Sequence, residues 1–191
     1  DDVRLWALAP NFTGYKRAVF VGVENISLVI SASKTHNIKN LNSTLEDKIS
    51  EIKSIISSAS SDGINTRVYI STCFECPYEG MVQQESVLKI ANEVLESGTS
   101  CVAISDTIGT ASVDMVDSLL SKLFSNGISK ESVSMHMHDI SGSSVNNIIK
   151  SVEMGVSTFD SAFGGIGGCP FSNGKNATNA DTISVHSALS E

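Results

Sequence analysis

The stretch CVAISDTIGTASVDMVDSLLSKLFSNGISKESVSMHMHD, residues 101–139, decides the fold. It opens with a short apolar run at 101–105. A polar loop follows, then the pattern Val113, Val116, Leu119, Leu120, Leu123 and Phe124, whose spacings of three and four put one apolar face on a helix. Gly127 offers a C-cap for that helix. A second strand-like run, 133–137, closes the unit. Strand, helix and strand without a tight turn between them read as a βαβ crossover, which demands parallel strands.

The same unit recurs outward from this stretch. Apolar runs stand at 3–9, 26–32, 67–72, 101–105, 133–137 and 156–161, each read as a strand covered on both faces. Amphipathic helices are predicted over 45–58, 87–95, 113–124 and 145–154. The second, third and fourth end at Gly98, Gly127 and Gly155. A shorter helix is predicted over 14–21, before Gly22, and another over 180–189. Ser43 or Thr44 suits the N-cap of the 45–58 helix, and Glu46 and Asp47 suit its positive end.

Six units in 191 residues are about 32 residues each, so eight would give roughly 250, the size of a (β/α)8 barrel. An open dinucleotide-binding sheet would carry Gly-x-Gly-x-x-Gly after its first strand, where Pro10-Asn11-Phe12 stands instead. The fold class is therefore α/β, a parallel TIM-type barrel with about six of its eight units, and residues 1–191 form one partial catalytic domain. Such an open barrel would expose two edge strands and an apolar interior, inviting aggregation or pairing with another chain, a homodimer among them.

With 13 Lys and Arg against 21 Asp and Glu, the formal charge is −8, which argues against nucleic-acid and anionic-membrane surfaces. Apolar residues make up 41% and charged residues 18%, a globular balance. No apolar run is long enough to span a bilayer. Four cysteines are too few for a secreted disulfide framework and fit a reducing compartment. The Asn-x-Ser/Thr triplets at Asn11, Asn25, Asn42 and Asn176 read as chance matches.

Chemistry in a parallel barrel gathers where strands end. His136 and His138 lie two apart at the end of the fifth run, so both side chains point to one side and can hold one metal ion. A hydrogen-bonded rim pair is the plainer alternative. Asp139 is a candidate orienting group for the histidines. Gly164-Gly165-Ile166-Gly167-Gly168-Cys169-Pro170-Phe171 follows the sixth run. Gly165, Gly167 and Gly168 allow close approach to a ligand, and Cys169 is a candidate acid or nucleophile. Asn176 offers an amide oxygen as third ligand. Two imidazoles and an amide suit Mg²⁺ or Mn²⁺ better than a thiolate-bound Zn²⁺. Asp106, ending the fourth run, either binds substrate, orders the site or starts a helix. Cys73-x-x-Cys76 lacks the second pair that a zinc or redox reading needs. His36, in a loop, and His186 are given no role.

Several of these motifs resemble one family. Asp160-Ser-Ala-Phe-Gly-Gly-Ile-Gly-Gly-Cys-Pro-Phe171 resembles the active-site cysteine signature of the 3-hydroxy-3-methylglutaryl-CoA lyases. Cys76-Pro-Tyr-Glu-Gly80, Asp106-Thr-Ile-Gly109, His136-Met-His-Asp139 and Pro10-Asn11 with Gly14 match in the same order. The resemblance covers essentially the whole chain. It implies an acyl-CoA substrate cleaved to acetyl-CoA and a β-keto acid, a divalent cation on His136, His138 and an Asn, and proton transfer by Cys169. It implies a location in the bacterial cytoplasm or the mitochondrial matrix. The family's Arg-Asp motif at the end of the first strand, which supplies a further ligand, has no counterpart, so the chain reads as starting at the third strand. By itself it is expected to show little lyase activity. The family's Gly-Ala-Ser-Gly-Asn is here Gly174-Lys-Asn-Ala-Thr-Asn179. A two-residue deletion makes the ligand Asn176, and a one-residue insertion makes it Asn179. Ile140-Ser141-Gly142 departs from the family's Thr-Tyr-Gly. A related Claisen-type synthase, a lyase for a longer acyl chain, and a non-catalytic barrel piece are the alternative readings.

Overall fold

The computed structural model describes residues 3–140, 142–170 and 177–190. In chain order its elements are β1 (Ala7–Leu8), α1 (Phe12–Phe20), β2 (Asn25–Ser31), α2 (Lys34–His36), α3 (Leu45–Ser61), β3 (Asn65–Ser71), β4 (Glu75–Cys76), β5 (Gly80–Met81), α4 (Gln84–Glu96), β6 (Cys101–Asp106), α5 (Val113–Ser125), β7 (Val133–Asp139), α6 (Ser143–Glu153), β8 (Phe159–Asp160), β9 (Thr178–Asn179) and α7 (Thr182–Leu189). One curled sheet runs β1-β2-β3-β6-β7-β8, all neighbours parallel. This is the wall of a partial barrel, with its helices on the outside, as the alternating pattern requires.

Each unit forms for local reasons. In α5, Ser112 caps the N-terminus by accepting from the Met115 N–H. Val116, Leu119, Leu120 and Leu123 are fully buried against the sheet, each contributing about 2 kcal/mol by leaving water. Gly127 then turns the chain at φ +89°, a conformation that a side chain would strain. Of the two caps expected for α3, Thr44 is the one used, accepting from the Asp47 N–H.

The central strands divide their faces sharply. Leu28, Val68, Val102 and Val133 lie in register and are buried under the helices, as are Ile30, Ile70, Ile104 and Met135. The inward face carries Ser27, Arg67, Tyr69, Ser71, Ser105, His136 and His138. Strands apolar on both faces, and an apolar interior, were expected; the structure corrects both, because the inward face lines a cavity.

Three further differences have physical causes. The first and sixth strands, at the two ends of the sheet, pair over only two residues each, which leaves few unpaired edge groups exposed. Turn residues Pro77-Tyr78-Glu79-Gly80 fold β4 and β5 into a small antiparallel hairpin that the βα reading omitted. His36 lies not in a loop but fully buried in α2.

Candidate active site

β7 delivers both histidines to the C-terminal end of the sheet. Their Nε2 atoms stand 3.2 Å apart. His138 Nδ1 lies 2.8 Å from the Thr107 carbonyl oxygen, which only accepts, so that nitrogen carries the proton. His136 Nδ1 lies 3.1 Å from Asp160 Oδ2, and the same logic applies. In the neutral rings both Nε2 lone pairs therefore face one point. Two bare lone pairs at that distance repel unless a proton or a cation lies between them.

That geometry fits a divalent ion. Two nitrogens each about 2.1 Å from one ion, at a right angle, stand about 3.0 Å apart. Burial, then the charge of His136, hold the His138 pKa below its ordinary value against hydrogen bonds to Thr107 and Asn179, which favours the neutral ligand form. Among the described residues no group of three His, Cys, Asp or Glu side chains is placed to hold a metal ion. The pair would thus share its ion with oxygen donors of other kinds. Asn179 pairs with His138 across β9 and β7, and its Nδ2 donates to the Ile166 carbonyl at 2.8 Å. Asn176 lies outside the described residues.

A cavity of about 540 Å³ opens before the pair, and His136, His138, Arg67, Tyr69, Cys169 and Asn179 are part of its lining. Cys169 is half-buried there, at the end of the glycine loop. The loop lies against residues 177–179 so closely that side chains are excluded. A Cβ on Gly168 would stand 2.3 Å from the Ala177 oxygen, and one on Gly167 2.8 Å from Asn179 Nδ2. Gly165, the third loop glycine singled out, is buried beside the Asn179 carbonyl oxygen.

Two carboxylates serve structure rather than facing the cavity. Asp106 is fully buried and accepts from the N–H groups of Gly109, Thr110 and Ala111 at 3.0, 3.3 and 2.9 Å. Burial pushes its carboxyl upward against the pull of these donors. The expectation that it meets substrate gives way to ordering of the loop that presents Thr107. Asp139 accepts from the N–H groups of Gly142 and Ser144 at the start of α6, so it does not orient the histidines.

Asp160 holds His136 instead. It also accepts from the Tyr69 hydroxyl at 2.5 Å and pairs with Arg67 at 3.4 Å. Burial opposes its charge, but hydrogen bonds from His136 and Tyr69 and the charges of His136 and Arg67 outweigh it and keep the carboxyl below the usual range. Arg67, Tyr69 and Asp160 were given no role in the sequence. The alternation Arg67-Val-Tyr69-Ile-Ser71 was the available signal, since it places three polar groups on one strand face. Cys73 and Cys76 are both buried, with their thiols 2.9 Å from the Ile70 carbonyl oxygen and 3.0 Å from Ser33 Oγ.

Fold and site together define a parallel barrel wall with a histidine pair and a glycine-borne cysteine at its strand ends. The HMGL-like family matches residues 3–190, and the chain belongs to that family. A cytoplasmic 3-hydroxy-3-methylglutaryl-CoA lyase of Danio rerio is 35% identical over 173 residues, 91% of this chain and 51% of that protein. The solved Bacillus subtilis HMG-CoA lyase superposes with a TM-score of 0.93 at 34% identity, covering 98% of this chain and 62% of that one. An Acinetobacter baumannii HMG-CoA lyase, solved with coenzyme A and 3-methylmalate, gives 0.93 at 29% identity, covering 100% and 61%. The chain thus spans little more than half the length of these relatives.

Proposed function

We propose that the protein takes part in divalent-metal-dependent cleavage of a 3-hydroxy-3-methylglutaryl-CoA-type thioester to acetyl-CoA and acetoacetate. One observation carries this reading: the Nε2 atoms of two histidines converge beside a cavity that Cys169 and Asn179 also line. Membership of the lyase family supports it. A bound Mg²⁺ or Mn²⁺ would polarise the substrate's hydroxyl and carbonyl oxygens as a Lewis acid. His136 and His138 would hold it with an amide oxygen, from Asn179 or from Asn176.

The remaining work falls to the chain. Cleavage breaks the bond between the hydroxyl-bearing carbon and the thioester's α-carbon. The hydroxyl gives its proton to solvent water, its carbon becomes the ketone of acetoacetate, and the bonding pair leaves as the acetyl-CoA enolate. The Cys169 thiol is the candidate proton donor to that enolate carbon. The glycine loop brings it near by lying flat on residues 177–179. A second groove of about 590 Å³ shares Pro10, Asn40 and Leu41 with the cavity and gives an elongated acyl-CoA a way out. Curated relatives include cytoplasmic and mitochondrial forms, and among the described residues no helix is long and apolar enough to cross a membrane.

The reading is tested in two parts. Mn²⁺ binding to this chain, followed by electron paramagnetic resonance, is expected to vanish in His136→Ala and His138→Ala and to survive in Cys169→Ala. Acetoacetate release by a chain extended to the length of its relatives is expected to fall by orders of magnitude in Cys169→Ala. Retained turnover there would remove Cys169 from the chemistry, and Mn²⁺ binding that ignores both histidines would sink the metal reading.

A further inference from the structure

We propose that Asp160 is a positioning residue that fixes the tautomer and the rotation of His136, leaving that histidine's Nε2 bare toward the cavity. The proposal rests on the metal reading for its purpose but not for its evidence. Asp160 is the register partner of His136 across β8 and β7, so both side chains leave the sheet on the same face. Its Oδ2 accepts from His136 Nδ1 and from the Tyr69 hydroxyl, and its Oδ1 faces an Arg67 guanidinium nitrogen. Each holder is itself held. The Arg67 guanidinium lies 4.8 Å from the Trp6 ring and 4.9 Å from the Tyr69 ring, and its Nε donates to Ser27 Oγ at 2.9 Å. The Tyr69 ring meets the His136 ring edge-on at 5.3 Å. The carboxylate is gripped from three sides and cannot turn away.

The role follows from what happens without it. A neutral imidazole carries one proton, and the hydrogen bond at one nitrogen decides what the other offers. With Asp160 on Nδ1, the proton stays there and Nε2 faces His138 as a lone pair. Without that acceptor, the proton gains more at Nε2, where the His138 Nε2 lone pair stands 3.2 Å away and accepts it. The two rings then close on each other, and the lone pairs that would hold a cation are both consumed. Asp160 thus keeps the pair open. Thr107 does the same for His138 through a backbone carbonyl, which no side-chain substitution removes.

The test reads the ring nitrogens directly. The metal-free chain is labelled with ¹⁵N-histidine and held at pH 8, and long-range ¹H–¹⁵N correlations are recorded. His136 is assigned by its absence in His136→Gln. The wild type is expected to show a protonated Nδ1 and an unprotonated Nε2 at His136. Asp160→Asn is expected to move the proton wholly or partly to Nε2, whereas Tyr69→Phe, which keeps the carboxylate, leaves it on Nδ1. A wild-type His136 protonated at Nε2 overturns the proposal, even if Asp160→Asn does not fold. An unchanged tautomer in a folded Asp160→Asn also overturns it. Mn²⁺ affinity in Asp160→Asn is expected to drop by about 10–100-fold. A wild type that takes up no Mn²⁺ refutes the metal reading alone, because the tautomer measurement needs no metal.

Discussion

Replacing Asp106 by alanine separates a structural carboxylate from a chemical one. The side chain is fully buried and satisfies three backbone N–H groups, those of Gly109, Thr110 and Ala111. The bonds to Gly109 and Ala111 are buried and the bond to Thr110 only partly so. An orphaned buried N–H costs about 1–3 kcal/mol, so two full losses and one partial loss sum to roughly 3–5 kcal/mol. Removing a carboxylate that burial disfavours returns some of this, leaving about 3 kcal/mol net. For a chain of this size that lowers Tm by roughly 6–12 °C. Urea denaturation followed by circular dichroism gives the free energy, and hydrogen exchange over residues 106–111 locates it. Asp106→Asn keeps an oxygen acceptor and is expected to lose about half as much. The same loop presents the Thr107 carbonyl to His138, so Mn²⁺ affinity is expected to fall alongside stability. The reasoning fails if Asp106→Ala folds within about 0.5 kcal/mol of the wild type, with unchanged exchange, yet abolishes turnover in the chain extended to its relatives' length. Asp106 would then act on the substrate.

Burial, chiefly, pushes the Cys73 thiol up from its ordinary value of 9.0 to about 12, with Asp106 adding to the shift and a backbone hydrogen bond from Ser105 opposing it. A raised folded pKa contributes stability that is complete below the ordinary value and lost as pH rises toward about 12. The stability gap between wild type and Cys73→Ala is therefore expected to narrow from pH 8 to pH 10.5 in urea melts; a constant gap would contradict it. Native alkylation at pH 8, mapped by mass spectrometry, is expected to spare Cys73 and Cys76 and to mark the half-buried Cys169. Gly168→Ala puts a Cβ into the Ala177 carbonyl and is expected to cost about 1–3 kcal/mol and to open the glycine loop to limited proteolysis. Gly22→Ala meets nothing within 4 Å but sits at φ +75°, so it serves as the control for backbone strain without the clash. Equal melting temperatures for the two variants would show that the loop does not lie as described.

The helices and the parallel sheet were legible because each rests on a local signal. The face of α5 follows from spacing and its end from Gly127. The histidine pair was legible for the same reason, since residues two apart in a strand share a side. Asp160 was not, because its role depends on β8 lying beside β7, a pairing 24 residues apart in sequence. Arg67 and Tyr69 were hidden inside a run taken as apolar, although their alternation with Val68 and Ile70 was on the page. Asp139 was misjudged by proximity. It adjoins His138 in sequence, but the α6 N-terminus offers its oxygens nearer donors.

The division between the two faces of the sheet has a consequence for how such a wall changes over time. Folding free energy is drawn from the outward residues, such as Leu28, Val68, Ile104 and Met135, which pack under helices. The inward residues hold a chemistry but little of that free energy. A lineage can therefore exchange Ser27, Ser71 or Ser105 for other groups, and so try new ligands, while the helices and strands that carry them stay folded.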